Sequence, residues 1–434
     1  MSDSKKINRR GLFASSFALG LSSLLPRQAF ANTSAKRIII VRASGGWDVT
    51  YCLDPRLTSS NIDGPDSDDG GEDEEITTYA NNSDFRVMTN PTKRPSVDSF
   101  FSSYAEHSII VNGIYTGSIV HDECRRRMLT GLRSEGNPDL GVIASTVHGS
   151  STTLPYIDIA GGAYVGSYAS TTGQLGVQNQ ILALLDRNYS IPAPENADFS
   201  YPIFAANAQQ NDVIDSFIDQ RLNHFLNKGY SGGNSDKRVD DLQIALARKR
   251  DMELNSEVFL NNLNFGSSGT FAQQAQLATT LISSGMCYGV GLNTGSSWDT
   301  HDDISEQHPL YENLFSGLNI LVASLQSAGL FNDTIIMVSS EMTRTPRKNA
   351  DGGKDHWSST SALLIGGGLN GGRVIGGTNS SLITHGIDLN TGQIDDTQSP
   401  LSYDQFAAGV LYAAGITDTQ SWIPNAEVLH GLID

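Results

Sequence analysis

An α/β fold built on a mostly parallel central sheet is predicted by three features of the sequence. Short apolar runs rich in β-branched residues recur along the chain, as in RIIIVRA from Arg37, SIIVNGI from Ser108 and TIIMV from Thr334, and such unbroken runs belong to strands covered on both faces. Stretches with apolar residues at helical spacing separate them, and glycine, hydroxyl or charged residues follow each run at once. In an open α/β sheet, ligands bind beyond the carboxyl ends of the strands, so the chemistry of this chain is expected there.

The stretch from Thr334 to Trp357 concentrates that expectation. Its apolar strand runs into Ser340-Glu341-Met342-Thr343-Arg344-Thr345-Pro346 and then Asp355-His356-Trp357. A second apolar run, Ala362 to Ile365, ends in Gly366-Gly367-Gly368 and predicts a neighbouring strand that finishes close to the same place.

At the amino terminus, Lys5, Lys6, Arg9 and Arg10 precede an uncharged, mildly apolar run over 11–25 and the small-residue pattern Ala29-Phe30-Ala31. This predicts a twin-arginine export signal cleaved after Ala31 and places the mature protein in the periplasm or outside the cell. The apolar run falls short of the ~20 residues that a bilayer requires, so no transmembrane segment is expected after cleavage. The remainder, 32–434, reads as a single large α/β domain.

Removing 1–31 takes away five basic residues and one acid, leaving 24 basic against 46 acidic side chains and a formal charge of −22. Such a surface repels phosphate backbones, which excludes nucleic acid and anionic membranes as expected partners, while a local basic pocket for a small anion is compatible with it. Cys52, Cys124 and Cys287 are odd in number and show no metal-binding spacing; buried free thiols are expected.

Taken in order, the first strand delivers Asp48 past Gly45 and Gly46 to its carboxyl end, as a metal ligand or as an Asx turn or helix cap. The acid-rich run 62–75 (IDGPDSDDGGEDEE) reads as a solvated loop, too polar to pack. After the next strand, a helix beginning near His121 sets His121 and Arg125 one turn apart at its positive end, where anions are favoured. A strand near 155–160 follows, and 173–285 reads as a mainly helical insertion covering the sheet, with apolar residues such as Val213, Phe217 and Leu242 at helical spacing. Beyond the strand at 287–292 stand Trp298-Asp299-Thr300-His301; a carboxylate and an imidazole two apart in a loop can turn toward one cation, with capping as the competing use of the acids beside them. An amphipathic helix over 305–328 leads back to the central strand. His107, His148, His224, His308, His385 and His430 fit no motif and read as structural or surface residues.

Trp298-Asp299-Thr300-His301-Asp302, Ser340-Glu341-x-x-Arg344-Thr345-Pro346, Gly353-x-Asp355-His356-Trp357 and Gly366-Gly367-Gly368, with Gly45-Gly46-x-Asp48, together resemble the exported bacterial family catalogued as domain of unknown function 1501. That family is placed in the alkaline phosphatase and sulfatase superfamily, so the resemblance implies an alkaline-phosphatase-like α/β sandwich with a metal centre at the strand ends. It implies metal-ligand roles for Asp48, Asp299, His301, Glu341 and His356, and anion binding by Arg125 or Arg344. Met342 stands where a second ligand histidine is common, which leaves one or two divalent cations, of zinc, manganese, iron or calcium. The segment HDECRRRMLTG resembles the sulfatase helix C-x-P-x-R-x-x-L-x-T-G, with Arg125, Thr130 and Gly131 in register and His121 where the nucleophilic cysteine or serine should be. His121 is then a ligand, a general base or a nucleophile, with Ser118 a weaker substitute. The resemblance implies an exported, metal-dependent hydrolase acting on a phosphate or sulfate ester; the alternative is a non-catalytic binding or cell-envelope assembly protein on the same fold.

Overall fold

In the computed structural model, the described residues are 35–68, 71–159, 161–174, 207–228, 234–254 and 269–433. The expected export signal at 1–31 lies outside them, as do large parts of the expected helical insertion.

The centre is an eight-stranded sheet in the order β12-β4-β11-β8-β1-β7-β5-β6. Its strands are β1 (Arg37–Arg42), β4 (Ser108–Tyr115), β5 (Tyr156–Asp158), β6 (Thr172–Gln174), β7 (Gly289–Asn293), β8 (Thr334–Ser339), β11 (Ser359–Gly366) and β12 (Arg373–Gly376). A hairpin of β2 (Glu75–Thr78) and β3 (Arg86–Thr89) and another of β9 (Thr343–Arg344) and β10 (His356–Trp357) stand outside the sheet. All neighbouring pairs in the sheet are parallel except those of β11, which runs antiparallel to both β4 and β8.

Side chains of a strand alternate between faces, and β1 shows the result. Ile39 and Val41 join one buried core, Ile38 and Ile40 the other. The first core is covered by α1 (Pro95–Tyr104), α6 (Phe271–Ser283) and α7 (Gln307–Ser327); the second by α2 (His121–Thr130), α3 (Leu140–His148) and α8 (Tyr403–Ala413). A sheet with helices on both faces is the expected sandwich.

Three local expectations change. The direction of β11 carries Gly366 to the start of β8, where a Cβ would run into the carbonyl of Thr334; the glycines therefore lie at the end of the sheet opposite Glu341. The acid-rich run is not a free solvated loop. The Glu74 side chain is fully buried against Arg94, Asp68 pairs with Lys348, and Asp66 accepts from the amide of Thr58, so part of the run is tied down by specific donors while Glu72, Asp73 and Glu75 stay exposed. Finally, α6 belongs to the sandwich, since Phe271, Leu277 and Leu281 are core residues. The helices preceding it, α4 (Ala208–Lys228) and α5 (Asn234–Leu254), carry Val213, Phe217 and Leu242 in exposed positions. All three cysteines are free and buried.

Candidate metal centre

Four segments meet at the carboxyl edge of the sheet: the turn after β1, the amino end of α2, the loop after β7 and the β9–β10 hairpin. The turn is made possible by Gly45 (φ 124°) and Gly46 (φ 94°), both in the left-handed region that glycine tolerates. A Cβ on Gly45 would lie 2.6 Å from the amide of Asp299, so the absence of a side chain there lets the β7 loop close onto the turn.

Three imidazoles converge on this point, and in each the Nδ1 atom has an oxygen acceptor. His121 Nδ1 donates to Glu341 Oε1 at 2.9 Å, His356 Nδ1 to the carbonyl of Ile119 at 2.8 Å, and His301 Nδ1 to Asp355 Oδ1 at 3.3 Å. Carboxylate and carbonyl oxygens only accept, so Nδ1 carries the proton and each Nε2 is left to the cluster. The Nε2 atoms of His301 and His356 are 2.9 Å apart, and that of His121 is buried without a hydrogen-bond partner. All three surround Asp299: His301 Nε2 is 3.0 Å and His356 Nε2 3.4 Å from Oδ1, and His121 Nε2 is 3.5 Å from Oδ2. Ligand atoms of His121, Asp299 and His356 lie within 4.8 Å of one another, the grouping expected around one cation.

The electrostatics favour the ligating form of Asp299, whereas His121 holds its second proton more tightly than usual, and a cation bound there would have to displace it. The hydrogen bond to Glu341 raises the His121 imidazole above its ordinary range against the opposing pull of burial. Burial disfavours the charged Asp299, but the hydrogen bond and charge of Arg344, helped by His121 and His301, outweigh it and hold the carboxyl below its ordinary range. A carboxylate that orients an imidazole from behind is the usual companion of a metal-bound histidine. Imidazole nitrogens beside a carboxylate suit zinc, manganese or iron, while oxygen ligands are what calcium takes.

Residues 35–432 match the family described as "Protein of unknown function (DUF1501)". The chain belongs to this family. No curated protein matches it. Among solved structures, this DUF1501 protein is similar to one from a glycosaminoglycan-metabolism locus of Bacteroides thetaiotaomicron (9% identity, 92% of this chain and 77% of that one covered, TM-score 0.39). It is also similar to a sulfatase from Pseudoalteromonas sp. (11%, 93% and 73%, 0.38) and to an alkaline phosphatase superfamily protein from Vibrio parahaemolyticus (10%, 88% and 67%, 0.36).

In this DUF1501 protein the expected site residues separate into distinct roles. His121, Asp299, His301 and His356 come together. Glu341 does not join them as a ligand: its Oε1 accepts from His121 and the amide of Gly45, and Oε2 from the hydroxyl of Ser340. Asp48 is withdrawn altogether, because Lys354 takes its Oδ2 at 2.6 Å and Thr50 its Oδ1, with both charged side chains fully buried.

Arg344 is not placed to hold a substrate anion. It is fully buried, and its donors go to the carbonyls of Gly45, Gly46, Trp298 and Lys354, to Asp299 and to His301. Arg125 keeps an exposed guanidinium, paired with Asp122 and hydrogen-bonded to Tyr164, and shares a void of about 10 Å³ with Glu341. Ser118 donates to Glu123, and the buried Cys124 thiol donates to the carbonyl of Ser118. Lys354 escaped the sequence reading of the site, and Asp355, which belongs to its motif, was given no role there, although both stand close to His356 in the chain. Their proximity to a candidate ligand was the available signal.

Proposed function

We propose that this is an exported metal-dependent hydrolase acting on a phosphate or sulfate ester. The observation that supports it is the set of three imidazoles, each fixed through Nδ1 by its own acceptor, whose Nε2 atoms face the Asp299 carboxylate. His121, His301, His356 and Asp299 would hold one divalent cation of the zinc, manganese or iron kind. Such an ion polarises an ester oxygen and lowers the pKa of a bound water.

This chain's own groups do the rest. Glu341 fixes the ring of His121, and the Ile119 carbonyl fixes that of His356. Arg344 keeps Asp299 ionised and ties it to the glycine turn. Arg125 stands one turn from His121 with part of its guanidinium in solvent, where it can meet an anionic group. With Ser118 and Cys124 both engaged, water is the attacking group that the surroundings favour.

A second reading rests on a different observation. Lys354 and Arg344 already supply fixed buried cations to Asp48 and Asp299, as in a centre that keeps one ion for stability while binding a small anion or an envelope component.

Elemental analysis of the mature protein purified without chelator, beside a His121→Ala/His356→Ala variant, tests both. About one equivalent of zinc, manganese or iron lost in the variant is expected; metal in neither protein overturns both. Turnover of phosphate or sulfate monoesters by the loaded protein selects the first reading, and metal content with stability but no turnover across such a panel selects the second.

A further inference from the structure

A second polar cavity, of about 330 Å³, opens between β12, the segment after β1 and β3. Its wall brings together Arg56, Arg86 and Arg373, from three segments far apart in the chain. In a protein with a net charge of −18, three guanidiniums around one cavity are a local reversal of sign.

The acids in the wall do not neutralise it. Asp54 pairs with Arg56 at 2.8 Å, and its other oxygen accepts from the hydroxyl of Thr378 at 2.5 Å. Arg86 is exposed, and no carboxylate among the described residues lies within ion-pair distance of it or of Arg373. Arg373 donates to the carbonyls of Thr391 and Gly431, and its buried Nε has no partner. Asp84 adds the one other carboxylate to the wall, against two guanidiniums that lack one.

We infer that this cavity binds a tetrahedral oxyanion, sulfate or phosphate, carried on a polar molecule. The guanidinium fork matches such an anion with paired N–H donors, and an oxyanion would supply the counter-charge that Arg86 and Arg373 lack. The cavity is larger than a bare anion, and Asn82, Asn112, Thr378 and Gln393 line it with amides and a hydroxyl, which suits a polyhydroxylated carrier. The site shares no residue with the histidine cluster, and the inference does not depend on hydrolysis there.

The test is titration calorimetry of the mature protein with inorganic sulfate and, separately, inorganic phosphate, at constant ionic strength held with chloride. Saturable binding of one equivalent is expected with at least one of the two, and which one identifies the anion. Arg86→Gln, whose exposed side chain makes no hydrogen bond among the described residues and acts on Asp54 only through its charge, should weaken it by about tenfold or more. Arg373→Gln, checked for unchanged melting temperature, should do the same. The His121→Ala/His356→Ala variant should bind as the parent does. Absence of saturable binding by both anions, equal binding by the arginine variants, or loss of binding in the histidine variant would each overturn the inference.

Discussion

The ammonium of Lys354 lies 2.6 Å from Asp48 Oδ2, and neither side chain reaches solvent. The pair also pins the site, because the Lys354 amide donates to the carbonyl of Thr300 and its own carbonyl accepts from Arg344. It thereby holds the strand bearing His356 against the loop bearing His301.

Removing one partner of a buried pair strands the other charge. Lys354→Met is expected to cost about 3–5 kcal/mol in urea unfolding, whereas Lys354→Met/Asp48→Leu should recover most of that loss. Equal loss in the single and double variants would show that the pair is not coupled.

Glu341→Gln keeps an oxygen for the His121 ring but removes the charge that raises its basicity. Metal affinity, measured by competition with a chelator, is expected to fall by about 10–100-fold with the melting temperature little changed. Unchanged affinity would remove Glu341 from the centre.

Two glycine substitutions separate strain from closure. Gly295 (φ 82°) has open space around its Cβ position, so Gly295→Ala should cost only the left-handed strain, about 1–2 kcal/mol. Gly45→Ala adds overlap with the backbone of Trp298 and Asp299, and is expected to destabilise more and also to lower metal content. Equal effects of the two substitutions on unfolding and on metal would contradict the close approach.

Burial raises the Asp139 carboxyl to about 7, against the helix-capping hydrogen bond from the Val142 amide. The folded state then holds this proton more tightly than the unfolded chain. The contribution to stability is full below the ordinary value of 3.8 and is lost as pH rises toward 7. Asn keeps a cap acceptor and cannot ionise. Asp139→Asn is therefore expected to unfold at higher denaturant than the parent at pH 8, with the advantage shrinking toward pH 4; parallel curves at both pH values would refute this.

The strands were legible because β1 and β8 are written as apolar runs rich in β-branched residues and β4 opens on a shorter one, and the helix starting at His121 because its turn follows a strand after a short link. The direction of β11 was not, since periodicity carries no sign. The packing of the acidic run also escaped, because Arg94 and Lys348, which neutralise Glu74 and Asp68, are not its neighbours in sequence.

At the site, the sequence alone determined which residue types arrive at the strand ends: Asp299 and His301 after one strand, Glu341 after another, His356 two residues beyond Lys354. Only the tertiary structure divided them into groups facing the cluster, groups orienting a ring and groups neutralised in the core. Asp48 and Glu341 resemble ligands until Lys354 and His121, hundreds of residues away in the chain, take up their oxygens. Local sequence fixes what a side chain can bind, while the partners that satisfy it first are set by long-range packing.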